Sequence, residues 1–240
     1  MNEQTETPEV DISVILTGHR EQVLAGPSAR SAREAIAYAE THLGLRCEII
    51  LVLDRSDVIT RDVLLAGLSA GVRVIETDEG DPGQARNHGV DASKGRCVAF
   101  LDGDDLWSYN WLTAAWTMGL SRPDAVLHSN CNIVFGDEEN LWWHVDSEDS
   151  FFDPGYLAWA NYWDSMSFGS TEIYRRFPFR RNNLKLGFGH EDWHWNCLTY
   201  ETGIPHKPVP DTVHFKRRRE GSQMAQVNAL GAVVWPLGLN

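Results

Sequence analysis

Short apolar segments alternate with segments of helical periodicity over the first 105 residues, and this alternation constrains the fold more than any other feature of the chain. The apolar runs predict strands over residues 11–17, 47–53, 72–76 and 96–101. Apolar residues at helical spacing, with Gly or Pro near the ends, predict helices over residues 29–43, 61–70 and 82–93. In the first helix, Ser31 and Glu34 have the spacing of a capping box. The alternation predicts an α/β fold with a mostly parallel central sheet flanked by helices.

The pattern changes in the second half of the chain. Residues 125–135 predict a long strand, residues 141–145 predict its return as a hairpin, and residues 146–153 form an acidic loop. The sequence has no linker, internal repeat or low-complexity tract that would separate two domains. We therefore expect one domain over residues 11–240, preceded by a disordered acidic tail over residues 1–10.

Acidic residues outnumber basic ones by 34 to 21, which gives a net charge of −13. This balance argues against a general binder of nucleic acids or anionic membranes, because such proteins neutralise phosphates with Lys and Arg. It is compatible with a small phosphate-bearing ligand, since a metal ion can bridge that ligand to carboxylates. The longest apolar run near the C-terminus, residues 229–239, is too short to span a bilayer and is interrupted by Pro236, so we expect no integral membrane segment.

The four cysteines are widely separated and form no CxxC pair, which argues against a disulfide framework or a zinc knuckle. The first ten residues are polar and acidic, unlike a secretory signal. A reducing cytoplasm is therefore the expected compartment.

Polar residues follow three of the predicted strands, at residues 17–20, 54–57 and 102–105. In an open parallel sheet, ligands bind beside the carboxyl ends of the strands, so these groups are expected to lie together. Asp102 and Asp104 are two residues apart where the chain leaves the sheet. Such a pair suits a divalent cation that is also bound by ligand phosphates, although a solvated acidic turn can have the same sequence.

Three consecutive segments, GQARNHG at residues 83–89, ASKG at 92–95 and VAFLDGDD at 98–105, resemble family 2 glycosyltransferases. Four further segments resemble this family in their order along the chain. They are the first predicted strand with its turn, a separate segment at residues 48–57, the acidic pair Glu191-Asp192 and a basic stretch near the end. The resemblance implies a GT-A fold, which is the Rossmann-like fold of nucleotide-diphospho-sugar transferases. It implies that residues 11–105 form a nucleotide-binding half, and that residues 106–240 form an acceptor-side half with a C-terminal basic segment.

Two segments depart from the usual pattern of the family. LTGH at residues 16–19 stands where Pro-Thr-Tyr-Asn is usual, and Leu53-Asp54 stands where two aspartates are common. Asp54 aligns with the second of those aspartates, which the resemblance places against the nucleotide base. These departures concern the choice of nucleotide more than the fold.

By resemblance, Asp102 faces the ribose and the donor sugar, while Asp104 binds Mn²⁺ or Mg²⁺. Asp102 and His214 are further candidate metal ligands, and for His214 a strand position without a ligand role is the alternative. The basic run at residues 216–219 is expected to contact the diphosphate, or else to be simply solvated. Arg86 is expected to support the donor or to form a surface ion pair. The candidate nucleotide-sugar-binding residues are Thr17, His19, Arg20, Asp54, Arg86, Asp102, Gly103, Lys216 and Arg218.

The segment GHEDW at residues 189–193 resembles the acidic motif of the family at the start of a helix. A helix N-terminus favours ionised carboxylates. We expect Asp192 to be the general base toward the acceptor hydroxyl, with Glu191 as the second candidate and helix capping as the alternative role. The resemblance implies a single displacement with inversion at the sugar C1.

The expected function is therefore an inverting, divalent-metal-dependent glycosyltransferase that uses a nucleotide-diphosphate sugar, with UDP favoured. Its acceptor would be a hydroxyl of a glycan, a glycolipid or another lipid-linked molecule, as in polysaccharide biosynthesis. At least one tryptophan of the acceptor-side half is expected to line the acceptor cleft, among Trp142, Trp143, Trp159 and Trp163. A peripheral association with the membrane and a homo-oligomer both stay open.

Two other functions stay open. A catalytically weak GT-A domain would bind a nucleotide or a glycan without transferring sugar. Residues 190–194 also fit the H-E-x-x-H motif of zinc hydrolases, with His190 and His194 as metal ligands and Glu191 as the base. That site would need a third ligand from Glu201, His206 or His214.

Overall fold

The computed structural model describes residues 10–68, 71–220 and 222–237. The predicted acidic tail lies outside these residues, except for Val10, which begins the first strand. Within the described ranges, the fold is an α/β domain built on one large sheet with helices on both faces. None of the described helices has the length and apolar composition needed to cross a bilayer.

The first half confirms the predicted alternation of strands and helices. Its strands are β1 (Val10–Gly18), β2 (Cys47–Asp54), β3 (Arg73–Thr77) and β4 (Gly95–Asp102). Its helices are α1 (Ala25–Leu43), α2 (Val58–Gly67) and α3 (Pro82–Ala92). Pro82 stands in the first turn of α3, where its missing N–H has no cost.

The predicted capping box in α1 is wrong. The helix begins at Ala25, so Ser31 lies in its second turn rather than at its start. The Ser31 hydroxyl is buried and accepts a hydrogen bond from the Trp107 backbone N–H at 3.0 Å. A contact from a residue 76 positions away therefore determines the role of Ser31.

The second half contains short elements and two long strands. The strands are β5 (Leu106–Trp107), β6 (Val126–Gly136), β7 (Asn140–Trp143), β8 (Phe168–Ser170), β9 (Phe188–Gly189), β10 (His206–Arg218) and β11 (Val233–Val234). The helices are α4 (Trp111–Ser121), α5 (Thr171–Arg176), α6 (Glu191–Glu201) and α7 (Gln223–Ala229). The predicted hairpin is confirmed, because β6 and β7 pair antiparallel with Ile133 opposite Leu141.

The large sheet has the strand order β3-β2-β1-β4-β8-β6-β10-β5, and β7 pairs with β6 beside this path. The four strands of the first half are parallel, as are β6 and β10, whereas β8 is antiparallel to both of its neighbours. A separate pair of short strands joins β9 to β11. The C-terminal residues are thereby attached to the segment that precedes α6.

The two faces of β1 belong to two separate cores. Ile12, Val14 and Leu16 point to the face covered by α1, α2 and α4. Ile15 points to the other face, where Phe100 of β4 packs with side chains of α3, α5 and α6. Side chains of a strand alternate between faces, which explains why β1 is an almost continuous apolar run buried on both sides.

The register of the parallel strands brings the three predicted polar groups to one edge of the sheet. Thr17 lies opposite Asp102 in the pairing of β1 with β4, and Gly18 lies opposite Leu53 in the pairing with β2. Asp54 lies opposite Thr77. The expected meeting of the strand ends is therefore confirmed.

Candidate active site

Asp102 is held in place at the end of β4 by two side chains. Thr17 Oγ1 donates a hydrogen bond to Asp102 Oδ1 at 3.1 Å. Arg86 Nη2 donates to both carboxylate oxygens of Asp102, at 2.8 and 2.9 Å. Burial alone would raise the pKa of Asp102, but the positive charges of Arg86 and Lys216 hold it below its ordinary value. Asp102 is therefore an ionised carboxylate with a fixed orientation.

Arg86 joins this aspartate to the start of α6. Its side chain is only 3% exposed, and Nη1 donates to Glu191 Oε1 at 3.1 Å. The guanidinium therefore bridges Asp102 and Glu191, two carboxylates that are far apart in the sequence. The alternative of a surface ion pair is wrong because Arg86 is buried on α3, between the sheet and α6.

The two acidic residues at the start of α6 differ in their surroundings. Glu191 is buried, and its second oxygen accepts a hydrogen bond from Asn182 Nδ2 at 2.9 Å, so both of its oxygens are engaged. Asp192 is partly buried and accepts only from the Trp193 backbone N–H, at 2.8 Å, among the contacts of the described chain. Burial and the neighbouring Glu191 raise the pKa of Asp192 to about 6. Asp192 is therefore the freer carboxylate and the better proton acceptor near neutral pH.

Residues 102–104, Asp-Gly-Asp, form a turn after β4 that we call the D-G-D turn. Its second carboxylate, Asp104, contacts Arg219, the residue that follows β10. Arg219 Nε donates to Asp104 Oδ2 at 2.9 Å, and Arg219 Nη2 lies 3.5 Å from Glu21 Oε1. Glu21 is buried and was not among the predicted site residues. It accepts a second hydrogen bond at 2.6 Å from the backbone N–H of His19. The sequence gives no signal for Glu21, because it lies in an irregular segment before α1.

Gly103 between the two aspartates has no room for a side chain. A Cβ there would lie 2.6 Å from the Thr17 carbonyl oxygen and 3.3 Å from the carboxyl carbon of Glu21. The close approach of the turn to the loop after β1 therefore requires glycine at this position.

The basic run at residues 216–219 is not one solvated segment, because its first three residues belong to β10. Lys216 lies within β10 and is buried, with Nζ at 3.2 Å from Asp105, 3.7 Å from Asp164 and 4.0 Å from Asp102. These carboxylates keep the pKa of Lys216 above its ordinary value although burial opposes this. Lys216 is therefore an internal counter-ion of the carboxylates, and its ammonium group is not presented to solvent.

Asp164 was missed by the sequence analysis. It is 1% exposed, lies in the loop before β8, and accepts a hydrogen bond from Asn132 Nδ2 at 2.8 Å. Its other oxygen has no partner among the described residues. A lone aspartate that follows Tyr162 and Trp163 and precedes Ser165 gives no motif that would have identified it.

The profile of the family described as Glycosyl transferase family 2 matches residues 13–182, which is more than half of the chain. The chain belongs to glycosyltransferase family 2. The uncharacterized glycosyltransferase YibD of Escherichia coli is 26% identical over 183 residues, which cover 71% of this chain and 52% of YibD. The succinoglycan biosynthesis protein ExoO of Rhizobium meliloti is 38% identical over 84 residues, which cover 35% of this chain and 24% of ExoO. The chain thus spans about half the length of YibD and less of ExoO.

Solved structures of TarS from S. aureus share the fold of this family 2 domain. One matches with a TM-score of 0.62 and 16% identity, covering 87% of this chain and 37% of that one. A structure of TarS 1-349 in complex with UDP-GlcNAc matches with a TM-score of 0.59, covering 90% of this chain and 61% of that one. The GT-A fold expected from the sequence is therefore confirmed.

Asp54 is occupied by donors of its own chain. Its carboxylate accepts from Thr77 Oγ1 at 3.0 Å and from the backbone N–H groups of Glu79, Gly80 and Asp81 at 2.7, 3.1 and 3.0 Å. The residue is 6% exposed. Three of these donors bind Oδ1 and one binds Oδ2, so the carboxylate fixes the loop at residues 77–81, and its contact with the base stays a prediction.

The remaining candidates of the nucleotide side are more accessible. His19 and Arg20 are exposed. Nδ1 of the His19 ring is hydrogen-bonded to the backbone carbonyl oxygen of Asp54 at 2.5 Å. The Arg218 side chain is partly exposed at the end of β10, and its guanidinium has no hydrogen bond or ion pair within the described ranges. These side chains are therefore accessible to a donor at the edge of the sheet.

His214 lies in an aromatic environment instead of beside the D-G-D turn. Its ring meets Trp111 edge to face at a centroid distance of 4.5 Å, and the residue is fully buried. Burial lowers its pKa to about 3, and the charged or titratable groups that act on it are Asp164, His144 and Lys216. The prediction that His214 binds the metal with Asp104 therefore lacks support, and the alternative of a strand histidine agrees with this placement.

The zinc-hydrolase hypothesis also lacks a matching geometry. His190 precedes α6 with φ 58° and ψ 57°, in the left-handed region, so it does not share a helix face with His194. Glu191 is engaged by Arg86 and Asn182. No group of three or more His, Cys, Asp or Glu residues in the described part of the chain is arranged to bind a metal ion. A divalent cation at Asp102 and Asp104 would therefore need phosphate oxygens to complete its ligands, which is how Mg²⁺ commonly binds.

The tryptophans proposed for the acceptor cleft have different environments. Trp163 is fully buried, and its Nε1 donates to the Val145 carbonyl, so it belongs to a core. Trp142 is partly buried, while Trp143 and Trp159 are 59% and 83% exposed. Trp159 follows a short 3-10 helix, Pro154–Ala158, that contacts α6 through a hydrogen bond from Trp193 Nε1 to the Leu157 carbonyl at 2.9 Å. An exposed aromatic side chain thus lies on the segment beside Asp192.

Proposed function

We propose that this family 2 glycosyltransferase transfers a sugar from a UDP-sugar to a hydroxyl of a glycan or a lipid-linked acceptor, with inversion at C1. One observation supports this best: the buried ion pairs of Arg86 with Asp102 and Glu191 connect the D-G-D turn to the first turn of α6, which also contains Asp192. A donor held at the turn and an acceptor held at α6 would therefore meet in a fixed geometry. Fixing two reactants in this way removes a large part of the entropic barrier.

On the donor side, Asp102 is suited to orient the ribose and the sugar. Its carboxylate stays ionised and keeps one orientation because Thr17 and Arg86 hold it. A bound Mn²⁺ or Mg²⁺ would neutralise the negative charge that develops on the diphosphate leaving group. Asp104, with Asp102 nearby, would bind that cation together with the phosphate oxygens. Arg218 and Arg20 would contact the phosphates from the edge of the sheet.

On the acceptor side, Asp192 would accept the proton of the attacking hydroxyl. The new bond forms between the acceptor oxygen and C1, while the bond between C1 and the diphosphate oxygen breaks and its electrons leave with UDP. The attack comes from the face opposite the leaving group, so the configuration at C1 inverts. A pKa of about 6 allows Asp192 to be ionised at pH 7 and still accept a proton.

The comparisons support a UDP-sugar donor and polysaccharide synthesis as starting points. TarS 1-349, whose structure is known with UDP-GlcNAc, shares the fold but only 16% of the sequence. The name of ExoO refers to succinoglycan biosynthesis. An acceptor attached to a lipid would bring the enzyme to the cytoplasmic surface of a membrane.

Calorimetric titration with UDP and GDP, each with and without Mn²⁺, tests the donor site. We expect Mn²⁺-dependent binding of UDP by the natural sequence and its loss in Asp104→Ala. Glu201→Gln is the matched control, because Glu201 is an exposed carboxylate at the far end of α6. Absence of UDP binding under every condition would contradict the UDP-sugar donor. Binding without hydrolysis or transfer of any UDP-sugar would instead indicate a binding module.

A further inference from the structure

Arg219 forms an ion pair with Asp104, the carboxylate proposed above to bind the cation. Its Nε donates to Asp104 Oδ2 at 2.9 Å, and its Nη2 lies 3.5 Å from Glu21 Oε1. The guanidinium therefore lies between two carboxylates that belong to the D-G-D turn and to the loop after β1. Both carboxylates are mostly buried, with side-chain exposures of 17% for Asp104 and 7% for Glu21.

Two neighbouring carboxylates in a buried position need a positive charge between them. Burial raises the pKa of Glu21, and the charge of Asp104 raises it further, which reflects this repulsion. Glu21 cannot easily turn away, because its Oε2 accepts the His19 backbone N–H at 2.6 Å. Whichever cation lies at this position must therefore compensate both Asp104 and Glu21.

Arg219 differs from Lys216 and Arg217 in its position, because it lies outside β10. Lys216 is buried among carboxylates, and the Arg217 backbone N–H donates to Asp105 Oδ1 at 2.7 Å. Arg219 is the first residue after β10, and its side chain is 31% exposed. A change of its side-chain rotamer would not disturb the pairing of the strand.

We propose that Arg219 and a divalent cation compete for Asp104, and that Arg219 moves to the donor diphosphate when the cation binds. Glu21 holds the guanidinium in the absence of donor and stays behind as a fixed negative charge. Asp104 thereby exchanges one positive partner for another, so the turn never carries an unpaired charge. This inference rests on the proposed function, since it assigns a partner to the cation and the diphosphate of that donor site.

The exchange predicts changes of opposite sign in one variant. Arg219→Met removes the competing charge, so the affinity for Mn²⁺ without nucleotide should rise about two- to fivefold, the effect of one partly exposed ion pair. The affinity for UDP at saturating Mn²⁺ should fall by about the same factor, because the phosphate loses a partner. Free Mn²⁺ can be measured by electron paramagnetic resonance, and UDP binding by calorimetry.

The controls separate this exchange from a general loss of charge. Arg122→Met also removes a guanidinium paired with two carboxylates, Asp124 and Glu148, and should change neither affinity. Arg219→Lys keeps the charge and should give a Mn²⁺ affinity close to that of the natural sequence, and it serves if Arg219→Met is poorly folded. Glu21→Gln should not weaken Mn²⁺ binding more than twofold if Glu21 anchors Arg219 and does not bind the metal.

The outcomes distinguish this inference from the proposed function. Unchanged or weaker Mn²⁺ binding by Arg219→Met, in a protein whose natural sequence binds UDP with Mn²⁺, overturns the exchange and leaves the donor site intact. Absence of both Mn²⁺ and UDP binding in every variant overturns the exchange and the donor site together. A rise in Mn²⁺ affinity with a fall in UDP affinity, confined to Arg219→Met, supports the exchange.

Discussion

The turn after β4 and the start of α6 each present two neighbouring carboxylates, and the two regions follow the same plan. In each region one carboxylate, Asp102 or Glu191, is fixed by Arg86. The other, Asp104 or Asp192, makes no hydrogen bond with Arg86 and contacts either Arg219 or only the first turn of its own helix. One buried arginine therefore separates the carboxylates that it fixes from the two for which we propose cation binding and proton transfer.

The largest difference between the two regions is expected when the carboxylate of Asp192, at the start of α6, is replaced. Asp192→Asn keeps the shape of the side chain but cannot accept the hydroxyl proton, so kcat should fall by about 10²–10⁴-fold. The KM for the donor should change little, because the turn after β4 is untouched. Steady-state transfer from a UDP-sugar measures both constants, with Glu201→Gln as the control on the same helix. An unchanged kcat would remove Asp192 from the role of base.

Replacement of Arg86 should affect both regions at once, because it lowers the free energy of unfolding of the domain. Arg86→Met leaves Asp102 and Glu191 buried without their shared counter-ion, and we expect the free energy of unfolding to fall by about 3–5 kcal/mol. Urea denaturation measures this change. Arg61→Met, which removes an exposed ion pair with Glu76, should cost less than about 1 kcal/mol. Equal losses of unfolding free energy in the two variants would show that the buried ion pairs of Arg86 stabilise the fold no more than an exposed ion pair does.

A methyl group at residue 103 should affect only the region after β4. Gly103→Ala places a Cβ 2.6 Å from the Thr17 carbonyl oxygen, so the turn must shift, at a cost of about 1–3 kcal/mol. UDP binding with Mn²⁺ should weaken about tenfold or more, whereas the spectroscopic titration of Asp192 should stay unchanged. The control is Ala92→Gly, at the end of α3. Gly187→Ala is less suitable, because the positive φ of Gly187 would itself strain an alanine. Retained UDP affinity would show that the turn tolerates displacement.

The pH dependence should sharpen the assignment at α6. Asp192 must be ionised to accept a proton, and its pKa is raised to about 6. The value of kcat should therefore rise with pH through an apparent pKa near 6, reach a plateau above pH 7, and fall about tenfold per unit below pH 5. Glu191→Gln should move this apparent pKa downward, because it removes the neighbouring negative charge. A profile that stays flat between pH 5 and 7 would contradict a base with this pKa.

The sequence predicts the first half of the fold well because each signal there is local. Apolar runs, Pro82 and the polar strand ends depend on neighbouring residues, and the register that unites Thr17 with Asp102 follows from parallel pairing. The motif from which the resemblance predicts Asp192 as the base is equally local, and that role stays a prediction. The capping box fails at Ser31 because a residue far along the chain engages its hydroxyl.

The parts of the site that the sequence does not predict depend on long-range contacts. Lys216 resembles its basic neighbours in sequence, yet the alternation of β10 directs its side chain toward Asp105 and Asp164. Asp54 matches the position of a base-binding residue, but the loop after β3 folds around it. Burial and partner choice at such positions are set by the packing of several elements, and no window of sequence contains them.

The loop fixed by Asp54 also supports the helix that carries Arg86. Asp81 donates its backbone N–H to Asp54, and its side chain accepts the Gln84 N–H at the start of α3. The same helix holds Arg86 between the two carboxylate regions. A substitution that shifts this loop is therefore expected to reach Arg86 through α3. The loop and the buried bridge behave as one mechanical unit, so neither can be redesigned without the other.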